Sequence, residues 1–407
     1  MAVNPASSAL GTNSARIQIP QDFSLILGGP LFQILRRAHL SDDALLMVRR
    51  RIVVISTLAW LPLLVLSAIE VRLLDGSVGV PFLFDVEVHV RYLAVLPLLI
   101  VAELVVHQRL RPLLQQFLER NLIPEGALPR FEAAVESAFR LRNSVLAEVL
   151  LIAFVYGFGI LVVWRHSAIV ATTTWYATPS PDGSALSLAG MWYGFVSLPL
   201  FQFLLCRWYF RLFIWTRFLW QVSRIELSLV PTHPDRVGGL GFLANAAYAF
   251  AVLAVAHGTM VAGMVANRIF FLGSSLPQFK VEIAVVVAFV LVLLLGPLLV
   301  FTSQLAQAKR TGLREYGTLA ERYVREFDAK WLRGGAPHGE PLVGSGDIQS
   351  LADLGNSYDV VRTMRLAPVS RDAIVRLAAA TLVPITPLLL TMMPLEELVK
   401  MLFGILF

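Results

Sequence analysis

Not one residue between 283 and 305 carries a charge, and six further segments are nearly as bare: 52–69, 92–106, 148–164, 186–206, 242–267 and 377–393. A helix needs ~20 mostly apolar residues to cross the ~30 Å hydrocarbon core of a bilayer. Seven such segments in 407 residues leave no room for a soluble globule of this size. Composition agrees. Hydrophobic residues make up 57% and charged residues 15%, with a mean hydropathy of +0.69, where soluble domains carry roughly a quarter charged residues. The same figures exclude a disordered or collagen-like chain. The single cysteine, Cys206, excludes an intrachain disulfide scaffold. The pattern predicts an all-α polytopic membrane bundle, with six well-defined spans and a seventh apolar helix near the C-terminus.

Basic residues set the expected orientation. Residues 1–51, 107–143, 207–241 and 302–372 together hold 27 Lys and Arg, whereas 71–91, 165–187 and 266–280 hold five. The N-terminus and the three long loops are therefore expected in the cytoplasm. Net charge is +6 and the pI is near 9.7. Because the bases flank apolar spans, anionic lipid headgroups are the expected partner, and nucleic acid is not. Residues 1–20 lack an apolar core and read as a cytoplasmic tail, not a leader. Residues 22–48 read as an interfacial helix, a Gly-Gly-Pro break, and a second helix capped by Ser41. The expected organisation is a tail and interfacial helix (1–48), a six-helix bundle (49–305), a cytoplasmic helical loop (306–372) and a C-terminal region (373–407). Short helices are expected at 125–142, 309–333 and 347–365, with a Gly/Pro-rich linker at 334–346. The stretch 377–393 contains Pro384 and Pro387. A crossing is the favoured reading there and a re-entrant hairpin the alternative. Residues 394–407 suit a helix lying in the interface.

Charges inside a span are costly and usually face the protein interior. Glu103 and His107 share one face of their helix (i, i+4), Glu148 opens its span, and Arg207 and Arg211 are again i, i+4. All five are expected near the cytoplasmic end of the bundle. They suit either a gate or anionic-ligand site at an inner mouth, or an ion-pair clamp between helices. His257 is the one ionisable group in the middle of its span. The spacing Gly258-xxx-Ala262 beside it permits a close helix approach. A neutral packing histidine and a proton-linked one both remain open. Trp175, Tyr176, Trp192 and Tyr193 flank an outer loop and read as interfacial anchors. The only internal echo is Arg-Leu-Arg at 109–111 and 140–142, so no repeat is expected.

The string Pro231-Thr-His-Pro-Asp-Arg-Val-Gly-Gly-Leu-Gly-Phe242 opens the fifth span. Its prolines and glycines enforce turns. His233, Asp235, Arg236, Gly238, Gly239 and Gly241 could leave backbone donors free for an anion at a helix start. The competing reading is a rigid, capped turn. His233-Pro234-Asp235 matches the tripeptide of J-domain co-chaperones, but the uncharged, membrane-length helix downstream excludes a J-domain. GxxxxGK[ST], HExxH, CxxC, DDxxD and GxSxG are all absent. No catalytic residue, metal site or cofactor is indicated.

HPDRVGGLGFL (233–243), with DIQSLADLGNSYDVVRTMR (347–365) before the last span, resembles a family of uncharacterised bacterial inner-membrane proteins. The resemblance implies a bacterial inner membrane and six or seven spans, and it brings no activity. Three functions fit the sequence: a channel or transporter for a small solute or ion, as a homo-oligomer; a non-catalytic membrane protein that holds or senses a protein partner through 309–372; or a membrane-embedded enzyme. The first is the expectation carried forward.

Overall fold

The computed structural model describes residues 28–30, 33, 47–74, 79–167, 174–180 and 183–392. The expected tail (1–20), the helix capped by Ser41 and the C-terminal interfacial stretch (394–407) lie outside the described residues. The architecture is an all-helical bundle, and six of its helices are long and apolar enough to cross a membrane. They are α1 (Val48–Ile69), α2 (Val86–Glu119), α5 (Leu188–Val222), α6 (Leu240–Leu272), α7 (Leu276–Leu332) and α9 (Arg371–Thr391). The amphipathic α3 (Leu128–Arg142) meets α4 (Val145–Ser167) at a 46° bend, and the two together are long and apolar enough to count as a seventh, broken candidate span. Helix α8 (Gly346–Arg362) packs beside the polar half of α7.

Three features of these helices bear on the expectations. Helix α7 joins the apolar segment and the charged segment after it into one 57-residue helical run. Pro297 does not break it, because it stands at the start of a 3₁₀ stretch (Gly296–Phe301), where its missing N–H costs little. Pro384 likewise stands at the start of a 3₁₀ stretch, Val383–Thr391, with Pro387 inside it, and α9 stays one helical run. Third, α2 starts at Val86, several residues before the expected 92.

An unexpected two-stranded hairpin, β1 (Ala177–Ser180) and β2 (Gly183–Leu186), precedes α5. Thr174, just before β1, bridges to Val80 in the loop before α2. This contact joins the two connections that lead into α2 and α5.

Those two helices open alike. Each opens on a side-chain cap: Asp85 accepts from the Val88 N–H, and Ser187 from the Gly190 N–H. Each continues with five α-helical and five π-helical residues, and then a long α-helix beginning Leu-Pro, at Pro97 and Pro199. A proline ring clashes with the carbonyl one α-turn back, and a widened π-turn relieves that clash. Arg91 and Tyr193 each open the π-helical stretch of their helix, and the Arg91 guanidinium donates to the Tyr193 hydroxyl at 2.6 Å. The two helices therefore meet at this matched position.

The core is aromatic. Phe117 of α2, Phe131 of α3, Phe218 of α5 and Phe242 of α6 are buried and stack edge to face or tilted at 5.0 to 6.1 Å. Elsewhere helices touch backbone to backbone. At Gly258 of α6 a Cβ would overlap the Thr381 carbonyl oxygen of α9, the close approach read from the small residues there.

Candidate functional site

Four helices bring charge to one buried point. Glu103 of α2 pairs with Arg211 of α5 at 2.7 Å, with Arg51 of α1 at 2.5 Å and with Arg207 of α5 at 3.6 Å. Arg207 also reaches Glu148 of α4 at 3.4 Å. Arg51 and Glu148 lie in the first turns of their helices, so the cluster sits at the end of the bundle where α1 and α4 begin. The Arg211 guanidinium lies over the Trp208 ring at 4.9 Å. Gly29 covers the rim, where a Cβ would lie 3.2 Å from the Glu148 carboxylate. Four of the five residues expected to gather here do so. His107 is half-buried and takes no part in these ion pairs, although it lies one turn from Glu103. Arg51 takes the place that the sequence reading gave to His107.

A second polar set, which the sequence reading did not single out, lies at the opposite end. Asp85 is buried and accepts from Trp175 Nε1, Asn267 Nδ2 and the Val88 N–H, at 2.9, 2.9 and 3.2 Å. One carboxylate thus ties the start of α2, the end of α6 and the hairpin segment together. Glu87 and Arg91 pair across one helical turn. Trp175 is fully buried, edge to face with Phe82 at 5.1 Å and with Tyr193 at 5.4 Å. Trp175 is therefore a core residue and not an interfacial anchor, and Tyr193 is partly buried against the core. The buried carboxylate needs donors, and the indole supplies one.

His257 is also buried. Its Nδ1–H donates to the Leu253 carbonyl at 2.7 Å, and Nε2 accepts from the Tyr209 hydroxyl at 2.8 Å, with the tautomer assigned from these partners. Both nitrogens of the neutral ring are satisfied, as in the packing reading.

The loop before α6 does not leave donors open for an anion, because Asp235 fills them. Its carboxylate accepts from the N–H groups of Val237, Gly239 and Gly241 at 2.9, 3.2 and 2.8 Å, with His233 beside it at 2.9 Å. Arg236, Gly238 and Gly239 adopt left-handed conformations that wrap the chain around it. A Cβ at Gly241 would sit 2.8 Å from the carboxylate. The two strings that carry the family resemblance meet here. Arg365 donates from its backbone N–H to the Arg236 carbonyl at 2.7 Å, and from its side chain to the Asp235 carbonyl at 3.1 Å.

Partial burial alone would raise the Asp235 carboxyl, but the three N–H donors and His233 outweigh it and hold the group below the usual aspartate range. A carboxylate depressed in the folded state contributes stability above its unfolded pKa of about 4, and loses it as pH falls through the lower folded value. Asp235→Asn is expected to cost about 2 kcal/mol at neutral pH and to flatten the acid limb, as read from unfolding midpoints between pH 3 and pH 7.

An open cleft of 450 Å³ lies between residues 224–231 and α7, lined among others by Arg224, Glu226, Thr311 and Glu315. Among the described residues no group of three or more His, Cys, Asp and Glu side chains is arranged to hold a metal ion. Comparison with family models, with curated proteins and with solved structures finds no match to this chain.

Proposed function

We propose that this is a multi-pass protein of the bacterial inner membrane, with its N-terminus and basic loops in the cytoplasm. It acts as a channel or transporter for a small solute or ion, closed in this conformation at its cytoplasmic mouth. The ion-pair cluster around Glu103 carries the reading. Ionisable side chains at membrane depth are expensive and mark pathways by default. Here they link α1, α2, α4 and α5 through contacts that can be made or broken one at a time.

Flux through liposomes holding the purified protein tests the proposal. Vesicles with protein are expected to pass a halide, phosphate or small neutral solute several-fold faster than empty ones. Glu148→Gln is expected to increase the leak, because Arg207 then loses one anchor. His257→Ala is expected to lower stability without changing selectivity. Folded protein that leaves vesicles as tight as empty ones, with no response to Glu148→Gln, would refute it.

The open cleft and the exposed Val324 and Val343 favour a second reading, in which the 309–372 region holds another protein. Val324→Asp with Val343→Asp would then remove a co-purifying partner while leaving flux unchanged.

A further inference from the structure

Among the described residues the charge in the cluster does not balance. The guanidiniums of Arg51, Arg207 and Arg211 face the carboxylates of Glu103 and Glu148, and none of these five side chains is more than 11% exposed. One positive charge is left over in a buried place, and burying an uncompensated charge is strongly unfavourable. The guanidiniums are not saturated either. Arg51 is 2% exposed, and its Nε has no hydrogen-bond partner among the described residues. Arg207 meets its two carboxylates only at 3.4 and 3.6 Å, beyond the 2.7–2.9 Å typical of a charge-assisted hydrogen bond. A fourth guanidinium, that of Arg142, lies at the rim beside Gly28.

We infer that this cluster binds a phosphate-type oxyanion, which supplies the missing negative charge. Guanidinium forks match the paired oxygens of a phosphate, and a halide offers no such geometry. Arg51 and Glu148 lie in the first turns of α1 and α4. That depth suits either a lipid headgroup phosphate or free phosphate entering from the same side. The Gly28-Gly29 backbone is the cover: Gly29 lies against Glu148 and Arg207, where a side chain would crowd the site. This site stands independently of transport. A protein that binds the oxyanion and passes no solute keeps the site and loses the transport reading, and the reverse result does the opposite.

The experiment follows thermal unfolding of the full chain in neutral detergent, against sodium phosphate or sodium chloride at matched ionic strength. A parallel arm uses lipid vesicles of phosphatidylcholine with or without phosphatidylglycerol. The unfolding midpoint is expected to rise saturably with phosphate, with phosphatidylglycerol, or with both, and not with chloride. A response to phosphate identifies a free-ion site, and a response to phosphatidylglycerol alone identifies a headgroup site. Arg51→Gln balances the charge and is expected to weaken the response at least tenfold, with Arg51→Lys intermediate because it keeps the charge and loses the fork. Glu148→Gln, which deepens the imbalance, is expected to strengthen it about tenfold. Equal responses to phosphate and chloride with no effect of phosphatidylglycerol, or an Arg51→Gln protein that responds like the wild type, would overturn the inference.

Discussion

Gly258→Ala is expected to destabilise the protein by about 3 kcal/mol or more, and Gly258→Val to prevent α9 from docking. The added Cβ would overlap a carbonyl oxygen, that of Thr381, which belongs to the backbone of a helix. A flexible side chain could turn away, but this oxygen can move only with its helix. Overpacked cores usually lose 1–3 kcal/mol. Here α6 and α9 must separate along their whole contact, so the loss lies at the upper end or beyond. Gly157→Ala is the control, since nothing lies within 4 Å of its added Cβ. It is expected to be neutral or slightly stabilising, because alanine is the better helix former. Unfolding midpoints in detergent compare the two. Equal stability would show that the helices are not in contact at Gly258.

Glu103→Ala is expected to cost about 3–5 kcal/mol, the range for removing one partner of a buried ion pair. The carboxylate holds arginines from α1 and α5, and its removal leaves Arg51 and Arg211 without their ion-pair partner. Arg51→Met with Glu103→Gln removes one charge of each sign and is expected to recover much of the loss. An exposed pair such as Arg322–Glu326 on α7 is expected to contribute 0–1 kcal/mol. Arg322→Ala therefore serves as a surface reference in the same unfolding assay.

Much of the bundle was legible in the sequence because apolar length is an additive property that a reader can sum. The cluster was largely legible for a related reason. Charges within apolar runs are so few that Glu103, Glu148, Arg207 and Arg211 stand out. Arg51 did not, because a residue at the edge of a span reads the same whether it reaches for headgroups or turns inward. His107 misled through helical spacing alone, which places a residue on a face without saying what that face meets. The second polar set was hidden in residues read as a loop: α2 begins at Val86, so Asp85, Glu87 and Arg91 belong to a helix start. The likeness of the two helix starts was missed because its signal is a cap followed at fixed distance by Leu-Pro, with little similarity between. Asp235 was read either as one member of an anion-binding loop or as part of a rigid, capped turn. Only the folded turn shows that its carboxylate is the anion that the backbone donors hold.

The central claim is that these helices cross a bilayer with the charged cluster at the cytoplasmic face. Cysteine labelling tests it most directly. In a Cys206→Ala background, a single cysteine is placed at Val343, in the exposed linker between α7 and α8, or at Ser275, in the exposed turn between α6 and α7. Intact cells are then treated with a membrane-impermeant maleimide. The account predicts that the Ser275→Cys protein labels at once and the Val343→Cys protein only after the cells are opened. Labelling of Val343→Cys from outside, with Ser275→Cys protected, would contradict it.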